Sequence, residues 1–125
     1  MNLPARLRWI AVLSTLLPSL PALADAPLEV YVARLSAADH YNSSGERLRS
    51  AAAIIRQDRA NLHRYGVRDP EDEADRFFAS AENRARLERL IADGFLDRAT
   101  ERLIVEDTPL VRVEVWRNHV EVRLQ

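Results

Sequence analysis

The chain has 125 residues, with 18 basic side chains against 19 acidic ones for a formal charge of −1 at pH 7, and it contains no cysteine. The missing cysteines exclude disulfides, thiolate nucleophiles and thiolate metal sites together, and a total of three glycines leaves no phosphate-cradling loop. Every basic residue is Arg, which a biased composition explains without any demand for guanidinium chemistry.

The amino terminus opens with Arg6 and Arg8 and no acid, and from Trp9 to Ala24 no residue is charged. A basic start, an apolar run and the small-x-small site Ala22-Leu23-Ala24 are the marks of a cleavable secretory signal peptide. Pro18 and Pro21 stop a helix short of that site. Residues 1–24 are therefore read as the signal, with cleavage after Ala24, and residues 25–125 as one small exported domain. The apolar run is too short and too interrupted for a bilayer anchor, and no Cys follows it for lipidation, so the product is expected in the periplasm or beyond, without a stable membrane anchor. Two basic residues leave with the signal, so 16 basic and 19 acidic side chains remain and the charge becomes −3. That balance argues against non-specific binding to nucleic acid or anionic membrane. Without bridges, a domain of this size is held by packing alone, by a partner or by its own copy.

In the mature chain, Leu28-Glu29-Val30-Tyr31-Val32 alternates apolar and other residues, which predicts a strand over 28–33; Pro27 and the spacing of Tyr31, Leu35 and Ala38 keep a helix as the rival reading there. A polar connection, 36–42, leads to Ser43-Ser44-Gly45-Glu46, read as a capping box. The long helix is expected to start there and to run to about Tyr65, closed by Gly66. Asp69-Pro70-Glu71-Asp72 reads as a second helix start, with a short helix to about Ala79. Ser80 is expected to cap a third helix that closes at Gly94, and a short helix is placed around 98–103. Val111, Val113 and Val115, then Val120, Val122 and Leu124, alternate strictly and predict a hairpin. A turn at Asn118-His119 would pair Val115 with Val122 and Glu114 with Arg123. A turn one residue earlier would oppose Glu114 with Glu121 and Arg112 with Arg123, and like charges opposite each other are unfavourable, so the first register is preferred. The fold class is α+β: a small antiparallel sheet, the N-terminal strand plus the C-terminal hairpin, packed against a long helix and two or three short helices.

Arg59 falls within roughly 40° of the mean direction of Leu48, Ala51, Ala52, Ile55 and Leu62 at about 100° per residue, inside the apolar stripe of the long helix. It either snorkels outward or meets a carboxylate, Asp39 or Asp75, in an ion pair or an anion site. Asp39, His40, Tyr41 and Asn42 form a dense cluster able to hold a ligand or move a proton; the same side chains could simply bond the loop's own backbone. His40, His63 and His119 share no ligand spacing, and the Arg56, Arg59 and His63 side of the long helix repels a cation, so no metal site is assigned. The acids at 69–75 lack a calcium-loop pattern, and no nucleophile elbow accompanies the serines near His40. No catalytic residue and no cofactor is assigned. The candidate ligand or partner contacts are Asp39, His40, Tyr41, Asn42, Arg56, Arg59 and His63, and the exposed Arg49, Arg56, Gln57, Asn61 and Arg64 form either a solvated face or a surface for an acidic partner.

The leading expectation is a non-enzymatic accessory protein that binds another envelope or secreted protein. The alternative is a small-molecule or hydrolytic site built around His40, Tyr41, Asn42 and Arg59. Self-association through a hairpin edge, giving a homodimer, is the third reading.

Overall fold

The computed structural model describes residues 25–125 together with Met1, Asn2 and Pro18; the expected signal peptide and its cleavage site lie outside the described residues. Three strands, β1 (Glu29–Arg34), β2 (Leu110–Val115) and β3 (Val120–Leu124), form one antiparallel sheet in the order β1-β2-β3. The alternation that predicted strands also sets their inner face: Tyr31, Ala33, Val111, Val113, Val115, Val120 and Val122 are all fully buried. Helix α1 (Ala51–Tyr65) covers them with Ala51, Ile54 and Ile55, and the core is completed by Phe78, by Leu87 and Leu90, and by Ile104. Each such side chain contributes about 1.5–3 kcal/mol on burial. The expected α+β class, with its N-terminal strand and C-terminal hairpin, is present.

The long helix starts later than the capping-box pattern at 43–46 suggested. Asn42 accounts for this, because its Oδ1 accepts the amides of Ser44 at 3.0 Å and Glu46 at 2.9 Å, winding 42–46 into a turn. Gly45 sits in it at φ +78°, and Tyr41 and Arg47 form an isolated bridge at its base. The helix begins only at Ser50, whose Oγ accepts the Ala53 amide at 3.2 Å. Its end is as expected, with Gly66 at φ +67°.

The helix expected over 70–79 does not form either, apart from a 3₁₀ turn at Phe77–Ala79. Its acids bind the outer edge of β1 instead. Asp72 accepts the Arg34 amide at 2.8 Å, and Glu73 accepts the Val32 amide at 2.9 Å while its own amide donates to the Val32 carbonyl at 2.8 Å. From β1 itself, Glu29 reaches out to the amides of Arg76 and Phe77 at 2.7 and 3.0 Å. An edge strand has a row of unpaired amides, and here carboxylates satisfy them.

Ser80 caps the next helix as expected, but the helix is two pieces, α2 (Ala81–Ala85) and α3 (Leu87–Ala92), separated where the Arg86 amide bonds tightly back to the Asn83 carbonyl. Gly94 follows. A Cβ there would lie 1.9 Å from the Val120 carbonyl oxygen, so its role is close approach to β3 rather than a left-handed helix end. The next residue, Phe95, bonds β3 on both sides, donating to the Val120 carbonyl at 3.2 Å and accepting the Val122 amide at 2.8 Å. Helix α4 (Arg98–Glu106) starts on the Asp97 cap and runs three residues past the expected 98–103.

The hairpin takes the register that charge opposition argued against: Val113 faces Val122, Val115 faces Val120, Arg112 faces Arg123 and Glu114 faces Glu121. The charges are compensated along each strand instead of across, with Arg112–Glu114 at 3.1 Å and Arg123–Glu121 at 3.0 Å. Exposed pairs of this kind contribute only a few tenths of a kcal/mol to about 1 kcal/mol. The turn itself sets this register: the Trp116 amide donates to the His119 carbonyl at 2.9 Å, which puts Arg117 and Asn118 at its centre, and the Trp116 and His119 rings stack with centroids 5.5 Å apart. Among the described residues no non-glycine takes a positive φ, so Asn118 does not adopt the left-handed conformation expected of it.

Gly94→Ala is expected to destabilise the fold by about 3 kcal/mol or more, above the usual range for overpacking, because the obstructing atom is backbone. Chemical denaturation of the two proteins measures it.

Candidate functional site

Helix α1 turns Arg59 inward between Ile55 and the neighbouring turns, and the guanidinium is completely buried. Its Nε donates to Asp58 at 2.7 Å, and its Nη1 donates to Asp75 at 3.0 Å and to the Glu73 carbonyl at 3.0 Å. The Tyr31 ring lies against it, 4.2 Å from the guanidinium carbon to the ring centroid, a desolvated cation–π contact. Asp75 also accepts from His63 Nε2 at 2.8 Å and from the Phe78 amide at 2.6 Å. Of the two partners read from the sequence, Asp75 is the one found. Asp39 is not, because its carboxylate is engaged elsewhere. Asp58 was missed for a geometric reason: adjacent helix residues do not ordinarily face each other.

One guanidinium thus serves two buried carboxyl groups. Asp75 has three donors, whereas Asp58 has only the Arg59 Nε–H, and burial pushes the Asp58 carboxyl up to about 8, against the pull of Arg59. The Arg59 Nε–H donates to Asp58 across 2.7 Å between two buried side chains, so desolvation and the guanidinium act on this carboxyl in opposite directions. Burial likewise holds the Tyr31 phenol well above its ordinary range, so it stays neutral.

The 39–42 cluster disperses. Asp39 and His40 sit in a buried 3₁₀ turn, Ala37–His40. Asp39 accepts the Ser36 amide at 2.9 Å, the Ser36 hydroxyl at 3.2 Å and the Asn61 side-chain amide at 2.9 Å. His40 places Nδ1 2.8 Å from the Ser36 carbonyl and Nε2 2.7 Å from the Ile104 carbonyl. A neutral ring donates to one of these; only the doubly protonated ring donates to both. In either state both nitrogens face backbone carbonyls, which turns neither toward a substrate. Ile104 lies in the last turn of α4, where carbonyls lack helical partners, and Arg47 bonds the next carbonyl, Val105, at 3.0 Å. His40 and Arg47 together cap that helix. Tyr41 is exposed, with the Arg47 guanidinium 5.5 Å from its ring centroid, and Asn42 holds its own turn. His40, Tyr41, Asn42 and Arg59 therefore do not converge, whereas Arg59 and His63 meet on Asp75.

Arg56, the remaining candidate, lies on the outer face of α1 beside a cavity of about 460 Å³ between α1 and α2. Ala52, Ala53, Ala60, Ala81 and Ala85 contribute short walls, and Asn42, Gln57, Arg64, Arg84 and Glu88 also line it. Arg84 is nearly buried, its Nη1 fixed by the carbonyls of Phe78 at 2.8 Å and Ala79 at 3.0 Å. Among the described residues Arg56, Arg64 and Arg84 have no carboxylate partner. Of the face read from helical spacing, Arg56 and Arg64 are exposed on α1, whereas Arg49 precedes the helix and Asn61 turns in to Asp39; Arg84 was not readable, since only the path of 77–80 and the break after α2 bring it alongside.

Comparison with protein-family models, with curated proteins and with solved structures found no match to this chain.

Arg59→Met is expected to cost about 3–5 kcal/mol, since Asp75 is left buried without its cation; urea denaturation reads this directly. The pH dependence has a definite sign. A carboxyl raised in the folded state stabilises fully below its unfolded value near 4 and loses that contribution as pH climbs through about 8. Asp39, also raised by burial, acts in the same direction. Tm is therefore expected to fall between pH 5 and pH 9, and Asp58→Asn to flatten most of that fall.

Proposed function

We propose that this protein is an exported, non-enzymatic accessory protein that binds an acidic segment of another envelope or secreted protein in the cavity beside α1. The observation that carries the reading is the presence of three arginines, the exposed Arg56 and Arg64 and the nearly buried Arg84, among the lining residues of one short-walled cavity whose lining has a single carboxylate, Glu88. In a mature chain of net charge −3, this is a local reversal of sign, and such reversals steer an oppositely charged partner. Export rests on the basic start, the uncharged run and the Ala22-Leu23-Ala24 site.

Two other routes draw less support. Strand addition needs a free sheet edge, yet β1 is engaged by Asp72 and Glu73 and β3 by Phe95. A small-molecule or hydrolytic site around His40 needs a ring nitrogen to spare, and both face carbonyls.

Amino-terminal sequencing of the protein recovered from the envelope is expected to begin at Asp25; a chain recovered only inside the cell and starting at Met1 would overturn export. Crosslinking of the tagged mature protein in its native envelope, followed by mass spectrometry, should recover a defined partner whose crosslinks map to acidic residues. An Arg56→Glu, Arg64→Glu variant should lose that partner by tenfold or more. Undiminished recovery by the variant sinks the groove as the contact.

A further inference from the structure

The cavity beside α1 adjoins a second one of about 360 Å³, and the two share Ser50, Ala52 and Glu88 as walls. The second continues past the amino-terminal end of α1 along α3 to Ile91, Gly94 and Leu96, and reaches Glu101 in the first turn of α4. The trough they make has opposite charge at its two ends. Arg56, before the middle of α1, and Arg64, in its last turn, lie along that helix with Arg84 beside it, while Glu88 stands at the junction of the two cavities and Glu101 at the far end, and neither acid has a basic partner among the described residues. An occupant acidic throughout would set its far carboxylates against Glu88 and Glu101, and like charges brought together oppose binding.

The spacing constrains the occupant's conformation. Arg56 and Arg64 are eight residues apart on a helix, about 12 Å at 1.5 Å per residue. In an extended chain, side chains at i and i+4 share a face and stand about 13 Å apart. The alanines leave nothing beyond Cβ to hold a backbone away. α1 has 15 residues, so the first part of the trough is about 22 Å long, room for about seven extended residues.

Resting on the reading proposed above, we infer that the occupant is an extended, two-signed peptide segment: carboxylates four residues apart over Arg56 and Arg64, and a basic side chain at the end that reaches Glu88 and Glu101. This makes the trough a reader of charge order rather than a general acceptor of acid.

Fluorescence anisotropy with labelled synthetic peptides of about ten residues tests it, using the mature protein. One peptide carries glutamates at i and i+4 followed by two lysines, a second has the same groups in reversed chain order, a third is acidic throughout, and a fourth is uncharged. The tighter of the two mixed peptides should bind about five-fold more tightly than the all-acidic one, a margin consistent with two partly exposed ion pairs. In a Glu88→Gln, Glu101→Gln variant, both sites being exposed, that preference should vanish while acidic binding strengthens. Equal binding of mixed and all-acidic peptides, unchanged in the Gln variant, overturns the charge-order inference and leaves the arginine groove standing. Binding of no charged peptide more tightly than the uncharged one overturns both. Circular dichroism of each variant verifies that the fold is intact.

Discussion

A guanidinium with no contact to water sits where α1, the Glu73–Asp75 segment and the first strand meet, and much of the architecture depends on its bonds. Arg59 is rooted in α1, donates to the backbone and the carboxylate of the 73–75 segment, and lies against Tyr31 of β1. Glu73 of that segment and the preceding Asp72 in turn supply the carboxylates that close the outer edge of β1. The single side chain therefore couples the helical layer to the sheet through a stretch that has no regular structure of its own. A lysine could not replace it, since one ammonium cannot span Asp58, Asp75 and a carbonyl in a planar fork. A buried ion pair is weak evidence for stability; what this one contributes is a unique position for 73–75.

The same segment shows how far the amino-acid pattern could be read. Alternating valines announce strands whatever surrounds them, because one face must be buried, and those strands and the α+β class follow from that alone. Acids after a proline announce a helix start equally well, but the free amides of an edge strand compete for the same carboxylates. Only the fold decides which donors Asp72 and Glu73 meet. Asn42 repeats the lesson at short range: it won the amides that a capping box at Ser43 needed, and the helix waited for Ser50. In the hairpin, charge opposition pointed to the wrong register, because the like charges are paired along their own strands and the Trp116–His119 contact closes the turn one residue earlier.

For the candidate site, the inward direction of Arg59 and the basic outer face of α1 were both visible in helical spacing. In the polar cluster at 39–42 the side chains part company: Asp39 binds a turn and an asparagine, His40 faces the end of a helix, Asn42 holds its own turn and Tyr41 is exposed. The trough itself was beyond reach, because its walls come from α1, α2, α3 and the start of α4, and its charge order exists only once those pieces are side by side.

The capping of α4 has a further meaning for how the chain is assembled. The last turn of that helix is completed by His40 and Arg47, which lie 64 and 58 residues before the carbonyls they bind. A chain is made from its amino end, so the receptor for this helix exists before the helix does. α4 has nine residues, too few to persist alone in water, and its final turn is completed by groups that the 40–47 segment supplies. The end of one helix is thus closed by groups far away in the chain, so a slip in the 40–47 segment would free two carbonyls of α4 without touching any residue of that helix.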